Sequence, residues 1–268
     1  MGFQNKTAVI TGGALGIGRC LTRAFVDAGC RIAFFYCGQR AGEENLNFLQ
    51  RMGKDALFFC GNGEALEALE AFVQKTINTY GNIDYLINNM CINRGGLLTP
   101  CGYEDFLAVL KVGVAAPYYL TQRFLPYFNS GGCVVNLSST RAVQSQENTE
   151  SYTAAKGGVA ALTHAMAVSL AGRVRVNAIA PGYMATEMNT ALLNDEGRNT
   201  EILGRIPAHR WGTPDDMKGL CIFLASDASD YIAGAVRMLD ALLVTFCIAM
   251  GVGLVMTLWH QWVGGPLL

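Results

Sequence analysis

The sequence lacks an excess of charge of either sign. It has 20 lysines and arginines against 21 aspartates and glutamates, so its formal net charge is −1. Proteins that bind nucleic acid through its phosphates present a clustered positive surface. The balanced composition therefore gives no electrostatic argument for nucleic acid, and we expect no such partner.

The sequence also lacks the spacings of metal-binding proteins. Its nine cysteines include no C-x-x-C pair, and its three histidines are scattered. Neither pattern supplies a zinc ligand set, so we predict no metal. Several cysteines, among them Cys60, Cys133 and Cys221, lie in apolar runs, where buried thiols suit a reducing compartment. A strand pattern begins almost at once, so we expect no signal peptide and a cytoplasmic protein.

What the sequence does contain is a regular alternation of short apolar strands with helical segments. The pattern predicts seven strands, at residues 6–11, 31–36, 56–60, 83–88, 133–137, 173–179 and 235–239. It predicts helices at residues 19–28, 43–52, 64–80, 103–129 (as one or two helices) and 151–171, and a last helix starting at Thr213 and Pro214. This order predicts an α/β fold, a Rossmann-like doubly wound parallel sheet of about seven strands with helices on both faces. Since no linker interrupts the pattern, residues 1–240 are predicted to form one domain.

Three glycines, Gly12, Gly16 and Gly18, lie between the first strand and the first helix. Glycine at such a turn allows tight bending and lets backbone N–H groups approach a pyrophosphate. The N-terminus of the following helix adds a partial positive charge. A merely flexible loop would contain the same residues, but their position between strand and helix favours a dinucleotide site.

A tyrosine, a lysine and a serine are predicted to meet at the edge of the sheet. Tyr152 and Lys156 are four residues apart and share a helix face, and Ser139 follows the fifth strand. A phenol titrates near pKa ~10, and a nearby ammonium lowers that pKa. Tyr152 could then exchange a proton with an alcohol or carbonyl oxygen that Ser139 holds. Tyr152 and Lys156 alone would indicate a solvated helix face. The glycine turn at the start of the chain favours the catalytic interpretation.

Together these segments resemble the short-chain dehydrogenase/reductase family, in its common single-domain type. The matches follow the family's order through most of the chain: Thr11-Gly12-x-x-x-Gly16-x-Gly18, Asn88-Asn89, Ser139, Tyr152, Lys156, Pro181-Gly182, Thr186 and Arg210-Trp211-Gly212. The resemblance implies NAD(P)-dependent hydride transfer with a small alcohol or carbonyl substrate. It implies that Tyr152 exchanges the proton, that Lys156 lowers the pKa of Tyr152 and holds the ribose, and that Ser139 positions the reacting oxygen.

The resemblance also implies which residues contact the dinucleotide. They are Gly12, Leu15, Gly16, Ile17, Gly18, Arg40, Asn62, Asn89, Tyr152, Lys156, Pro181, Gly182 and Thr186. No acid follows the second strand, where NAD-preferring members carry one, and Arg40 could meet a 2′-phosphate. Leu15, however, stands where NADP-dependent members often carry a basic residue. The pattern favours NADP over NAD, with a simply solvated Arg40 as the alternative.

Several polar residues are expected to line the substrate pocket, under a polar segment, residues 183–207, that is predicted to form a lid. They are Asn93, Arg94, Arg141, Gln144, Gln146, Asn148 and Tyr183. Two arginines are compatible with an anionic or polyhydroxylated substrate, although an arginine at a loop tip is more often only solvated.

Two departures from the family pattern leave alternatives open. Gly113 stands where the family has an asparagine that supports a proton relay, and residues 241–268 form an uncharged apolar tail. Large apolar residues at even positions of this tail indicate a strand buried in a homo-oligomer, whereas its length also suits a membrane helix. An altered reading frame is a third explanation of the tail. The alternative functions are a dinucleotide-binding regulator or scaffold with vestigial catalysis, and a membrane-anchored reductase.

Overall fold

The structure, a computed structural model, describes residues 2–94 and 101–239. Its strands are β1 (Thr7–Thr11), β2 (Arg31–Tyr36), β3 (Ala56–Cys60), β4 (Ile83–Asn88), β5 (Phe128–Leu137), β6 (Arg175–Pro181) and β7 (Val236–Leu239). They form one parallel sheet in the order β3-β2-β1-β4-β5-β6-β7. The strand order reverses between β1 and β4, which is the point at which such sheets bind ligands. The predicted doubly wound sheet is confirmed.

The helices alternate with the strands. They are α1 (Gly16–Asp27), α2 (Gln39–Arg51), α3 (Leu66–Tyr80), α4 (Tyr103–Leu110), α5 (Ala116–Phe124), α6 (Glu150–Ser169), α7 (Thr190–Asn194), α8 (Glu196–Arg205) and α9 (Pro214–Ala225). A π-helical turn, Lys111–Ala115, joins α4 to α5. Helix α2 begins at Gln39 rather than at residue 43, because Gln39 and Arg40 donate hydrogen bonds to glutamates one turn further along the helix.

Helices cover both faces of the sheet. One core lies beneath α1, α2 and α9 and includes the buried Ile10, Leu21, Phe25, Phe34 and Met217. The other lies beneath α3, α5 and α6 and includes Leu69, Phe72, Leu120, Phe124 and Val134. Since alternate strand residues point to opposite faces, near-continuous apolar runs supply both cores. This two-sided packing holds the strand ends, which carry the site, in fixed positions.

A buried chain of hydrogen bonds ties β4 and β5 to α6. Asn88 Nδ2 donates to Asn136 Oδ1 at 2.9 Å, and Asn136 Nδ2 donates to Thr163 Oγ1 at 2.9 Å. All three side chains are buried, where polar groups need such partners. The chain fixes α6, which carries Tyr152 and Lys156, against the strand that leads to Ser139.

The predicted lid contains short helices, α7 and α8, rather than irregular chain. Ile202, Ile206 and Trp211 form a small apolar cluster beneath it, and Trp211 Nε1 donates to Asn199 Oδ1 at 2.7 Å. Sequence reasoning missed these helices because few apolar residues mark their inner faces. The predicted lid therefore packs against Trp211, which lies shortly before α9.

The predicted start of the last helix is confirmed. Thr213 is the N-cap of α9, Pro214 is its first residue, and Thr213 and Asp216 form a capping box. Across residues 2–94 and 101–239, no helix combines the length and the apolar character needed to cross a membrane. The predicted apolar tail, residues 241–268, lies outside the described residues.

Candidate active site

A cleft of about 660 Å³ lies at the carboxyl ends of the strands. Every predicted catalytic or cofactor residue except Arg40 lines it: Gly12, Leu15, Gly16, Ile17, Gly18, Asn62, Asn89, Ser139, Tyr152, Lys156, Pro181, Gly182 and Thr186. These residues come from the ends of five strands and from two helices. The parallel sheet brings them together because all its strands end at the same edge.

The glycine turn is closely packed against its own backbone. A Cβ on Gly18 would lie 1.9 Å from the carbonyl oxygen of Gly12, and Gly12 itself has a φ of +70°. Asn89 Nδ2 donates to Thr11 O at 3.0 Å and to Gly12 O at 3.3 Å, which holds the turn from the side of β4. Only glycine fits at position 18, and only a residue that tolerates positive φ fits well at position 12.

The first turn of α1 is arranged to receive an anion. Leu15 occupies the N-cap and supplies no side-chain hydrogen bond, and the first turn contains no acidic residue. The backbone N–H groups that begin a helix need acceptors, and they favour negative charge. The turn, with its missing side chains at Gly12, Gly16 and Gly18, fits the pyrophosphate of a dinucleotide.

Ser139, Tyr152 and Lys156 meet in the wall of the cleft. The Ser139 hydroxyl and the Cys91 thiol lie close enough to the Tyr152 phenol to act on its pKa. Lys156 Nζ lies 5.4 Å from the centroid of the Tyr152 ring and donates to Leu137 O at 2.7 Å. A phenol, a hydroxyl and an ammonium therefore face one space, and such a group can transfer a proton to or from a bound oxygen.

Burial is the largest influence on the Tyr152 phenol and raises its pKa above the ordinary value. The Cys91 thiol raises this pKa further, whereas the Ser139 hydroxyl and the charge of Arg141 lower it by less. The result differs from the lowered pKa that the Tyr-Lys spacing predicted. At neutral pH the phenol is protonated, which is the form of a general acid.

Gly113, which replaces the family's asparagine, lies in the π-helical turn and is buried against α6. A Cβ at Gly113 would lie 2.8 Å from the Cβ of Ala155. Since the Ala155 Cβ is attached directly to the backbone, it has no freedom to move aside. The close approach of these two helices in this chain therefore requires glycine.

The end of the cleft next to β2 differs from the sequence expectation. Arg40 lies in the first turn of α2, where its side chain is 93% exposed and its Nε donates to Glu44 Oε1 at 2.9 Å. Tyr36 and Cys37, at the end of β2, line the cleft instead. The sequence analysis noted that no acid follows β2 but did not predict Tyr36 and Cys37 as cleft residues. Asn62 lines the cleft as expected, and its Oδ1 accepts a hydrogen bond from Glu64 N at 3.0 Å.

The lid approaches the glycine turn through a residue that sequence reasoning missed. Glu187, which follows Thr186, pairs with Arg19 of α1 at 3.3 Å. Its Oε2 lies 3.3 Å from the position that a Gly16 Cβ would take. The sequence signal that could have identified Glu187 is its position directly after Thr186, a predicted cofactor contact. The ion pair joins the lid to the helix whose N-terminus faces the cleft.

Asn177 has a structural role in β6. It is buried in β6, where its Nδ2 donates to Ile232 O at 2.7 Å and its Oδ1 accepts from Ala235 N at 3.0 Å. These bonds hold the segment that leads into β7. Pro181 and Gly182, at the end of the same strand, do line the cleft.

The candidate substrate residues fall into three groups. Asn93 and Arg94 line the cleft, and Arg94 is held by Glu64 at 2.8 Å and Asp105 at 3.3 Å. Arg141, Gln146 and Tyr183 form a separate hydrogen-bonded cluster next to Ser139. Neither this cluster nor the remaining two candidates, Gln144 and Asn148, are among the residues that line the cleft.

Comparison with known proteins gives consistent matches over most of the chain. The family described as Enoyl-(acyl carrier protein) reductase matches residues 12–241. The chain is 33% identical over 242 residues to 2-dehydro-3-deoxy-D-gluconate 5-dehydrogenase of Escherichia coli K12, covering 89% of this chain and 95% of that protein. It is 35% identical over 254 residues to 3-oxoacyl-(acyl-carrier-protein) reductase FabG of Thermotoga maritima, covering 91% of this chain and 100% of that protein.

A solved structure gives the same result. A protein from Beutenbergia cavernae, a candidate NAD(P)-dependent gluconate 5-dehydrogenase with NADP bound at low occupancy, matches with a TM-score of 0.80. The two chains are 33% identical, and the match covers 88% of this chain and 96% of the other. Sheet order, glycine turn and relatives therefore agree with the resemblance found in the sequence. The chain belongs to the short-chain dehydrogenase/reductase family of NAD(P)-dependent oxidoreductases.

Proposed function

We propose that Tyr152 is the general acid and base of this oxidoreductase, acting on a small alcohol or carbonyl substrate. In the direction of reduction Tyr152 gives its proton to the substrate oxygen, and in the direction of oxidation it accepts that proton. A bound nicotinamide cofactor supplies or accepts the hydride. The observation that carries the proposal is that Tyr152, Ser139 and Lys156 line the same cleft as the glycine turn, with the Ser139 hydroxyl close enough to act on the Tyr152 phenol.

The two partners of Tyr152 have separate tasks in this proposal. Ser139 holds the reacting oxygen by a hydrogen bond, which the position of its hydroxyl next to the phenol supports. Lys156 stabilises the phenolate when it forms and holds the ribose hydroxyls, which its place one helical turn from Tyr152 supports. The remaining predicted cofactor contacts line the same cleft: Gly12, Leu15, Gly16, Ile17, Gly18, Asn62, Asn89, Pro181, Gly182 and Thr186.

The alternative is a dinucleotide-binding regulator or scaffold with weak catalysis, which Gly113 favours. Binding of NADPH does not separate the two functions, because both require it. Turnover of a panel of sugars, sugar acids, hydroxy acids, steroids and ketones, followed by nicotinamide absorbance, does separate them. An enzyme turns over at least one class, and a scaffold turns over none.

We further propose that NADP is the preferred cofactor and that Arg40 binds its 2′-phosphate after leaving Glu44. Arg40→Gln is then expected to lower kcat/KM for NADPH by about tenfold, because a charge-assisted hydrogen bond is lost. The value for NADH should not change. Arg51→Gln, which removes an exposed arginine from the other end of α2, is the control. A strong preference of the unaltered protein for NADH would contradict this assignment.

We also propose a cytoplasmic homo-oligomer in which one domain, residues 1–240, carries the apolar tail, residues 241–268, into an interface between subunits. Small and apolar side chains remain exposed along α6, at Ala154, Ala161, Ala165 and Val168. Exposed apolar stripes of this kind suit close helix packing between copies. The full-length protein should stay in the soluble fraction after a carbonate wash and sediment as an oligomer. Firm membrane retention that disappears on truncation at Asp240 would instead favour a membrane anchor.

A further inference from the structure

Arg141 is fixed directly beside the reacting centre. Ser139 is the N-cap of a 3₁₀ turn, Thr140–Ala142, and its Oγ accepts a hydrogen bond from the backbone N of Arg141 at 3.2 Å. The residue that would position the substrate oxygen therefore also positions the backbone of Arg141. The charge of the Arg141 guanidinium acts on the Tyr152 phenol, on which it is one of the influences that lower the pKa.

The Arg141 side chain is oriented by neutral groups. Its Nη2 donates to Tyr183 OH at 2.8 Å and to Gln146 Oε1, and its guanidinium lies 5.2 Å from the centroid of the Tyr183 ring. Tyr183 OH in turn donates to Gln146 Oε1 at 3.1 Å. These contacts use one of the three guanidinium nitrogens. The other two, Nε and Nη1, donate no hydrogen bond to any residue that the structure describes.

Arg141 differs in this respect from the other arginine near the site. Arg94 is paired with two carboxylates, Glu64 and Asp105, so its charge is compensated within the protein. In the described part of the chain, no carboxylate lies within ion-pair distance of Arg141. A fixed guanidinium with free donors matches a carboxylate in geometry and in charge.

We propose that Arg141 is a specificity-determining residue that binds the carboxylate of a small sugar acid, with Tyr183 and Gln146 orienting its guanidinium. The proposal rests on the proposed function, because it assumes that the substrate oxygen lies against Ser139 and Tyr152. An anionic anchor on one side of that oxygen would select hydroxy or keto acids over neutral polyols of equal length. Two of the compared proteins carry names of sugar-acid dehydrogenases, which agrees with this substrate class.

Binding of D-gluconate and of D-glucitol to the NADPH complex tests the proposal by calorimetry. The two probes have equal carbon chains and differ in charge, and neither is reduced by NADPH, so no turnover disturbs the measurement. D-gluconate should bind at least about tenfold more tightly than D-glucitol, as expected for a charge-assisted pair. Raising the salt concentration from about 0.01 M to about 1 M should reduce this preference, because salt screens the charges.

Arg141→Gln should weaken D-gluconate binding by about tenfold or more and leave D-glucitol binding within about twofold. Tyr183→Phe should keep most of the preference, because it removes a hydroxyl contact but leaves the charge. Arg173→Gln is the matched control, since Arg173 is exposed before β6, at the edge of the sheet opposite the cleft. It should change neither affinity.

Three results would overturn the inference: no preference for D-gluconate in the unaltered protein, a preference that survives in Arg141→Gln, or equal weakening of both probes. Equal weakening would indicate that Arg141 only attaches the lid to the turn after β5. The salt dependence is measured on the unaltered protein, so it decides the matter even if a variant misfolds. If the unaltered protein turned over no substrate of the panel but still preferred D-gluconate in binding, the result would count against the proposed reaction and not against the role of Arg141.

Discussion

Replacement of Tyr152 by phenylalanine is expected to lower kcat by roughly 10²–10⁴-fold, the usual contribution of a positioned general acid or base. Tyr152→Phe keeps the ring that lies near Lys156 and removes only the hydroxyl that contacts Ser139. NADPH affinity should therefore stay close to that of the unaltered protein. Steady-state kinetics with any substrate found in the panel, together with NADPH titration, measures both quantities.

Tyr119→Phe is the matched control for this substitution. Tyr119 OH donates to Glu70 Oε2 at 2.8 Å, in the contact between α3 and α5 and away from the cleft. Its loss removes a phenol and a hydrogen bond of the same kind, so only a small change in stability is expected. If Tyr152→Phe retained the activity of the parent protein, another group would have to transfer the proton.

The raised pKa of Tyr152 gives the direction of the pH dependence. Since burial favours the neutral phenol, the proton donor for reduction is present at neutral pH and is lost only as the pH rises through the raised pKa. Oxidation needs the phenolate, so its kcat/KM should increase with pH over the alkaline range. The same increase should be missing from the residual activity of Tyr152→Phe.

Gly18→Ala is expected to abolish cofactor binding and to destabilise the fold. The added Cβ would lie 1.9 Å from Gly12 O and 2.6 Å from Asn89 Nδ2. No rotamer change relieves a contact with a backbone oxygen, so either α1 or the turn after β1 must move. We expect a loss of about 3 kcal/mol or more in the free energy of unfolding, at the upper end of the range for overpacking. Urea unfolding and NADPH calorimetry provide the two measurements.

Gly219→Ala provides the control for the glycine turn. Gly219 lies within α9, and a Cβ there would have open space around it. Alanine at a helical position of this kind stabilises by about 0.5–1 kcal/mol, because glycine loses more conformational entropy on folding. A Gly18→Ala variant that binds NADPH with the affinity of the unaltered protein would show that the turn is looser than its contacts indicate.

Much of the fold was predictable because local signals and the global fold agree. The bounds of β2, β3 and β4 are those that the apolar pattern predicts. The prediction failed for elements whose bounds depend on particular side-chain contacts. The start of α2 depends on side-chain pairs one turn apart, and the lid helices depend on packing against Trp211. Neither kind of contact is visible in hydrophobic periodicity.

The part of the candidate site that lies at the ends of the strands could be predicted from the sequence. Parallel strands bring residues that follow them in the chain to one edge, so Gly12, Asn89, Ser139 and Pro181 could be placed together without coordinates. Arg40 lies on a helix rather than at a strand end, and the structure places it away from the cleft wall. Glu187 and Cys91 belong to other segments of the chain. Their distances from Arg19 and from Tyr152 in the fold cannot be inferred from their positions in the sequence.

By itself, the sequence determined the class of fold, the family and the glycine turn, and it identified the candidate Ser-Tyr-Lys set, because each depends on residue types in a fixed order along the chain. Only the tertiary structure decided the charge balance around them. It set a buried phenol with a raised pKa, a compensated Arg94 and an uncompensated Arg141. Those properties arise from which groups lie within a few ångströms and which are removed from water, and both follow from packing between distant segments.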